Sequence, residues 1–205
     1  LYCRVVSSPL TTYYSLKALK KLLSKSLNMR IGIVFFDSSA YMAYPVSEDT
    51  DAAAYMLDHL NNKQKFEGGS NLFCALEAAV YMLRDYPAKN IIVLSDGGNS
   101  RDVSEEIAYA KANALRLYAI GMASETGGYL FDDDKTLSVL NPTLRKLALE
   151  SGGRFESFSW GEDDIDAVVS QIEKDSFKEA SRRYPLKTYT ELFRYPLALG
   201  VLLLF

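Results

Sequence analysis

Between residues 15 and 27, Leu16, Leu19, Leu22, Leu23 and Leu27 recur at helical spacing with Lys17, Lys20, Lys21 and Lys25 between them, which predicts an amphipathic helix. The texture then changes. Residues 31–36 (IGIVFF) are continuously apolar, without the alternation of a half-exposed strand, as expected of a strand covered on both faces. The same two textures repeat down the chain. They predict a short strand at 41–44, helices at 50–60 and 71–85, a strand at 91–95, a helix at 103–115 and a strand at 117–121. After a loop there follow a helix at 142–151, a strand at 154–158 and a helix at 163–175. Strands separated by helices need crossovers, so the expected fold class is α/β: a Rossmann-like, doubly wound, mostly parallel sheet with helices on both faces. Such sheets take ligands outside the carboxyl ends of their strands, which directs attention to the strand-to-helix junctions.

Two junctions carry chemistry. In 91–99 (IIVLSDGGN), Asp96 follows a buried strand, and the two glycines after it let the backbone turn and approach a ligand. In 68–72 (GGSNL), Ser70 stands at the start of a helix, where a hydroxyl can cap free amides or bind a cation. Taken separately, Ser70 or Asn71 reads as a plain N-cap and Asp96-Gly97 as a plain turn. Taken together at one sheet edge, a hydroxyl and a carboxylate are hard oxygen ligands suited to Mg²⁺ or Mn²⁺.

Composition narrows the classes. The 23 basic and 26 acidic residues give a net charge of -3, which argues against a nucleic-acid surface built on a basic stripe. Cys3 and Cys74 belong to no CxxC and indicate neither a zinc site nor a disulfide framework. His59 is the single histidine, read as an ordinary helix residue; it excludes a two-histidine zinc site and weakens any histidine-based catalytic arrangement. A hydrolase or phosphotransfer enzyme using Asp96 is the alternative from another class, but the chain has no P-loop lysine and no G-x-S-x-G elbow. Asp132 to Asp134 read as a solvated loop, and Glu162, Asp163 and Asp164 as the acidic start of the last helix.

At these residues the sequence resembles the von Willebrand factor A (vWA) family, whose metal-ion-dependent adhesion site combines Asp-x-Ser-x-Ser, a later Thr and a later Asp on a strand ending in S-D-G. Ser70 in GGSNL matches the family Thr as one hydroxyl for another, and Asp96 in VLSDGGN matches the later Asp. LYAIGMAS followed by LRKLALESGGRF is similar to the family's late strand, helix and Gly-Gly turn. The resemblance implies a non-enzymatic binding module whose cation is held by Ser70 and Asp96. The tail YTELFRYPLALGVLLLF is similar to bacterial membrane vWA proteins of the aerotolerance (Bat) type. That similarity implies location at the bacterial cytoplasmic membrane, a role in envelope assembly or stress tolerance, and partners among other membrane vWA proteins and a MoxR-type AAA ATPase.

The departure lies at the beginning. No aspartate occurs in 1–14, and Ser7-Ser8-Pro9 does not supply Asp-x-Ser-x-Ser. The expectation is therefore a vWA domain over 1–177 whose first, central strand is absent, through truncation or, alternatively, a metal-free scaffold. On that footing the sheet should have a gap, and Ser70 and Asp96 alone should bind Mg²⁺ or Mn²⁺ weakly or not at all. After the domain, 178–195 is a basic and aromatic juxtamembrane linker (Arg182, Arg183, Lys187, Tyr189, Phe193, Arg194, Tyr195). Residues 196–205 read as the start of a truncated transmembrane helix: nine apolar residues from Leu197 reach about 14 Å of a ~30 Å bilayer core. The basic collar favours a cytoplasmic face.

Overall fold

The computed structural model describes residues 2–7, 12–25, 29–59, 71–97, 102–123, 128–129, 137–138, 142–158 and 163–183. The expected linker beyond 183 and the apolar tail at 196–205 lie outside them, as do Ser70 and 132–134. Among the described residues no helix is long and apolar enough to cross a membrane.

The first strand is present, which corrects the expectation of a gap. β1 (Tyr2–Ser7) pairs in parallel with β2 (Arg30–Phe36) on one side and with β4 (Asn90–Ser95) on the other. A strand needs extended backbone and neighbours with free edges, and it does not need metal ligands. The segment YCRVVS meets that requirement while lacking the family's aspartate. Its charged Arg4 interrupts the apolar run by which β2 and β4 announce themselves.

The full sheet runs β3-β2-β1-β4-β5-β8, with β3 (Ala40–Ser47), β5 (Arg116–Gly121) and β8 (Phe155–Ser157) completing it. Every pairing is parallel except β2 with β3, a hairpin that leaves β3 at the edge. Burial follows this order. β4 is buried throughout and β2 from Ile31 onward, whereas Tyr41 and Met42 on edge strand β3 are exposed. Pro45 is tolerated on β3 because an edge strand has amides that need no ladder partner. A separate two-stranded ribbon, β6 (Gly128–Tyr129) with β7 (Leu137–Ser138), precedes α5.

Helices cover both faces. α1 (Thr12–Lys25), α2 (Thr50–Asp58) and α6 (Asp163–Arg183) pack one face: Leu19, Leu22, Leu23, Ala53, Leu57, Ile165, Val168 and Ile172 join Ile31, Ile33, Ile92 and Leu94. α3 (Leu72–Leu83), α4 (Ser104–Ala112) and α5 (Pro142–Glu150) pack the other. Lys17 and Lys20 project from α1 on the side away from its leucines, and Lys20 pairs with Asp58 of α2. α6 runs eight residues past the point where its apolar periodicity stops at Asp175. Its buried part is tied to the sheet by Tyr118, fully buried on β5, whose hydroxyl donates to Asp175 Oδ2 at 2.9 Å; Gln171 Nε2 donates to the same oxygen at 3.0 Å. His59 is exposed at the end of α2, stacked beside Tyr55, and Cys74 is a half-buried free thiol on α3.

Candidate metal centre

The chain leaves β4 at Ser95, which is buried and whose hydroxyl accepts a hydrogen bond from the Gly97 amide at 3.1 Å. Gly97 adopts φ of 91° in that turn, a region a residue with a Cβ enters only at a cost of about 1 kcal/mol or more. Asp96 is fixed between these two anchors, partly buried, at the carboxyl end of a central strand. The sheet order reverses beside it, because the chain moves outward from β1 to β2 on one side and later fills β4 on the other. Open α/β sheets bind ligands at such a reversal. Asp96 thus stands just past a buried strand, the position expected of it from the sequence.

Ser70 lies outside the described residues, but its neighbour Asn71 shows how this loop is anchored. The Asn71 side chain accepts from the Cys74 amide at 3.2 Å and caps α3, one of the two capping assignments the sequence allowed. The Asn71 amide in turn donates to the Asp37 carbonyl at 2.6 Å, which docks the start of α3 on the end of β2.

Asp37, which the sequence does not single out, stands at the same edge. It follows β2 directly and is completely buried. Its Oδ1 accepts from the Ser39 amide at 2.8 Å and the Ser39 hydroxyl at 3.3 Å, and its amide donates to the Ser39 carbonyl at 2.8 Å, closing the β2–β3 hairpin. Oδ2 is buried with no hydrogen-bond partner. The strand register relates Asp37 to Asp96. Ser7 on β1 pairs with Phe35 on β2 and with Leu94 on β4, and the two aspartates each stand two residues beyond those partners. They flank the end of β1 from opposite sides, on strands about 10 Å apart. The available signal is an aspartate immediately after the apolar run 31–36, the same signal that singles out Asp96, but here no glycines follow it.

Space near the edge is small. A cavity of about 10 Å³ lies under Ser95 and Gly97, lined also by Phe36, Leu72, Val103 and Leu144, room for one water at most. A wider cleft of about 260 Å³ lies at the opposite edge of the sheet, between Lys89, Lys111 and Arg116. Its Ser151 hydroxyl is already committed, accepting from the Leu117 amide and donating to the Ala148 carbonyl.

The profile of the von Willebrand factor type A domain matches residues 11–174. The chain belongs to the vWA family. The match begins after β1, the strand at which the sequence departs from the family pattern. Among solved structures, this vWA chain is similar to an aerotolerance-related membrane protein from Bacteroides fragilis carrying multiple mutations to serines, with 16% identity, a TM-score of 0.73, and 85% of this chain and 99% of that one covered. It is equally similar to the conserved hypothetical protein BatB from Bacteroides thetaiotaomicron, at 16% identity and TM-score 0.73, with 85% and 98% covered. A third likeness, at 16% identity and TM-score 0.60, is to proximal thread matrix protein 1 from the mussel byssus, solved with a zinc-occupied MIDAS motif; 83% of this chain and 45% of that one are covered. Among curated proteins no sequence matches the chain. At these identities the structural likenesses establish the fold. vWA domains mediate protein–protein interaction, and the mussel protein shows the fold holding a divalent metal.

Proposed function

We propose that this vWA domain is a non-enzymatic interaction module of a bacterial membrane protein, capturing protein partners through a divalent cation held at the carboxyl edge of its sheet by Asp96 and Ser70. The observation that carries this reading is the placement of Asp96: at the end of a buried central strand, beside the reversal of strand order, in a turn fixed by Ser95 and Gly97. The donor set fits a hard cation such as Mg²⁺ or Mn²⁺. It consists of oxygens only, and a buried carboxylate oxygen left without a hydrogen-bond donor, Asp37 Oδ2, is at the same edge. A bound cation would supply an open coordination position for a carboxylate of the partner. Asp96 would hold the ion's charge, Ser70 would offer its hydroxyl, and the Ser95–Gly97 turn would keep Asp96 oriented.

The likeness to aerotolerance-related membrane proteins supports a membrane setting, with the apolar tail from Leu197 as the anchor, and a role in envelope assembly or stress tolerance. Partners on this reading are other membrane vWA proteins and a MoxR-type AAA ATPase. A metal-free scaffold is the second reading, favoured by one observation: β1 ends in Ser7, with no aspartate before it. Co-purification of a MoxR-type ATPase from the same bacterium separates the two. The cation-dependent module retains it in Mg²⁺ and loses it in EDTA or on Asp96→Ala; retention unaltered by either change contradicts the mechanism.

A further inference from the structure

From the geometry at the end of β2 we infer that Asp37 is a ligand of the cation, supplying from the neighbouring strand the carboxylate that β1 lacks. The inference rests on the cation-site reading above and deepens it. Three observations converge. The first is the state of the side chain: a carboxylate removed from water with one oxygen undonated is a costly arrangement, and a cation is the partner that offsets it. The second is the division of labour between its oxygens. Oδ1 serves the hairpin through Ser39, so closing the turn accounts for that oxygen and leaves Oδ2 unexplained. The third is register. Asp37 and Asp96 stand at the same level on strands either side of β1, so a hydrated ion over the end of β1 has a carboxylate on each flank.

A site of this kind changes the expected affinity. Weak binding was expected from one carboxylate and one hydroxyl; a second carboxylate raises the charge count and the number of fixed oxygens, the two quantities that set affinity for hard cations. It also explains how a vWA chain can keep the S-D-G half of its site after the first strand has lost its aspartate.

Asp37→Asn is the discriminating variant because asparagine can still accept from the Ser39 amide and close the same turn while removing the charge. Mn²⁺ titration of the EDTA-treated 205-residue chain, read by the electron paramagnetic resonance signal of free Mn²⁺, should show one bound ion, with affinity reduced at least tenfold in D37N and in Asp96→Asn. Thermal melting in EDTA should show D37N as stable as the parent, with Mn²⁺ raising the melting temperature of the parent only. An Asp96→Asn chain that loses Mn²⁺ while D37N binds like the parent overturns the role of Asp37 and leaves the function proposed above standing. A parent chain that binds no Mn²⁺ overturns both. Should D37N fail to fold, carboxyl-carbon NMR of the parent decides: Mg²⁺ shifts the Asp37 and Asp96 signals together if both are ligands, and a shift of Asp96 without Asp37 overturns the inference.

Discussion

Ser104 gives Asp102 two hydrogen bonds at the start of α4, from its hydroxyl at 2.6 Å and its amide at 3.1 Å. The hydroxyl bond is the main reason, and the amide bond the next, that the Asp102 carboxyl titrates below its ordinary value. A depressed folded value means that the contribution to stability is present above the unfolded pKa and disappears as the pH falls through the folded one. Ser104→Ala should therefore move the Asp102 midpoint upward in a carbon-NMR pH titration; a midpoint that stays in place would show that the hydroxyl is not the cause. The comparison of Asp96 with Asp37 shows what single residues disclose. Asp96 was legible because an apolar run leads into it and two glycines follow. Asp37 has the same lead-in, but Ser-Ser after it also satisfies a hairpin. What distinguishes it is a buried, undonated oxygen, which exists only after the strands have assembled.

At the level of elements, local pattern served well where burial was two-sided. β2, β4 and β5 were readable as continuous apolar runs, and the helices as leucine and alanine periodicities facing those strands. β1 escaped because its place in the sheet depends on pairing with β2 and β4, whose partners lie far along the chain. α6 was read too short because the residues after Asp175 remain helical without an apolar stripe to mark them. The Gly-Gly turn between α5 and β8, by contrast, was visible in the sequence, and the structure gives its reason. Gly152 takes φ of 80°, and a Cβ on Gly153 would stand 2.0 Å from the Leu117 carbonyl oxygen of β5. Gly153→Ala must push β8 away from its only sheet neighbour among the described strands, since the obstacle is backbone rather than a flexible side chain. A loss of about 3 kcal/mol is expected by urea denaturation; a variant within 0.5 kcal/mol of the parent, roughly the scatter of surface changes, would mean that the turn relaxes without cost.

For the whole molecule, the order β3-β2-β1-β4-β5-β8 is the feature from which the rest follows. It buries β2, β4 and β5 between two helical layers, gives β1 a neighbour on each side, and brings the ends of β2 and β4 to the place where the order reverses. That order could be anticipated as a doubly wound sheet, but the identity of its central strand could not, because the family's ligand motif and the family's strand come apart in this chain. The two carboxylates proposed as ligands follow from the same order: Asp96 stands just past the end of β4, and the buried Asp37 just past the end of β2. Metal-linked melting of the EDTA-treated chain tests the resulting account most directly. With Mn²⁺ at a hundredfold excess over Kd, linkage predicts about 2.7 kcal/mol of added stability for the parent, reversed by EDTA and absent in Asp96→Ala. A parent whose melting ignores Mn²⁺, or an Asp96→Ala chain that gains as much as the parent, would contradict it.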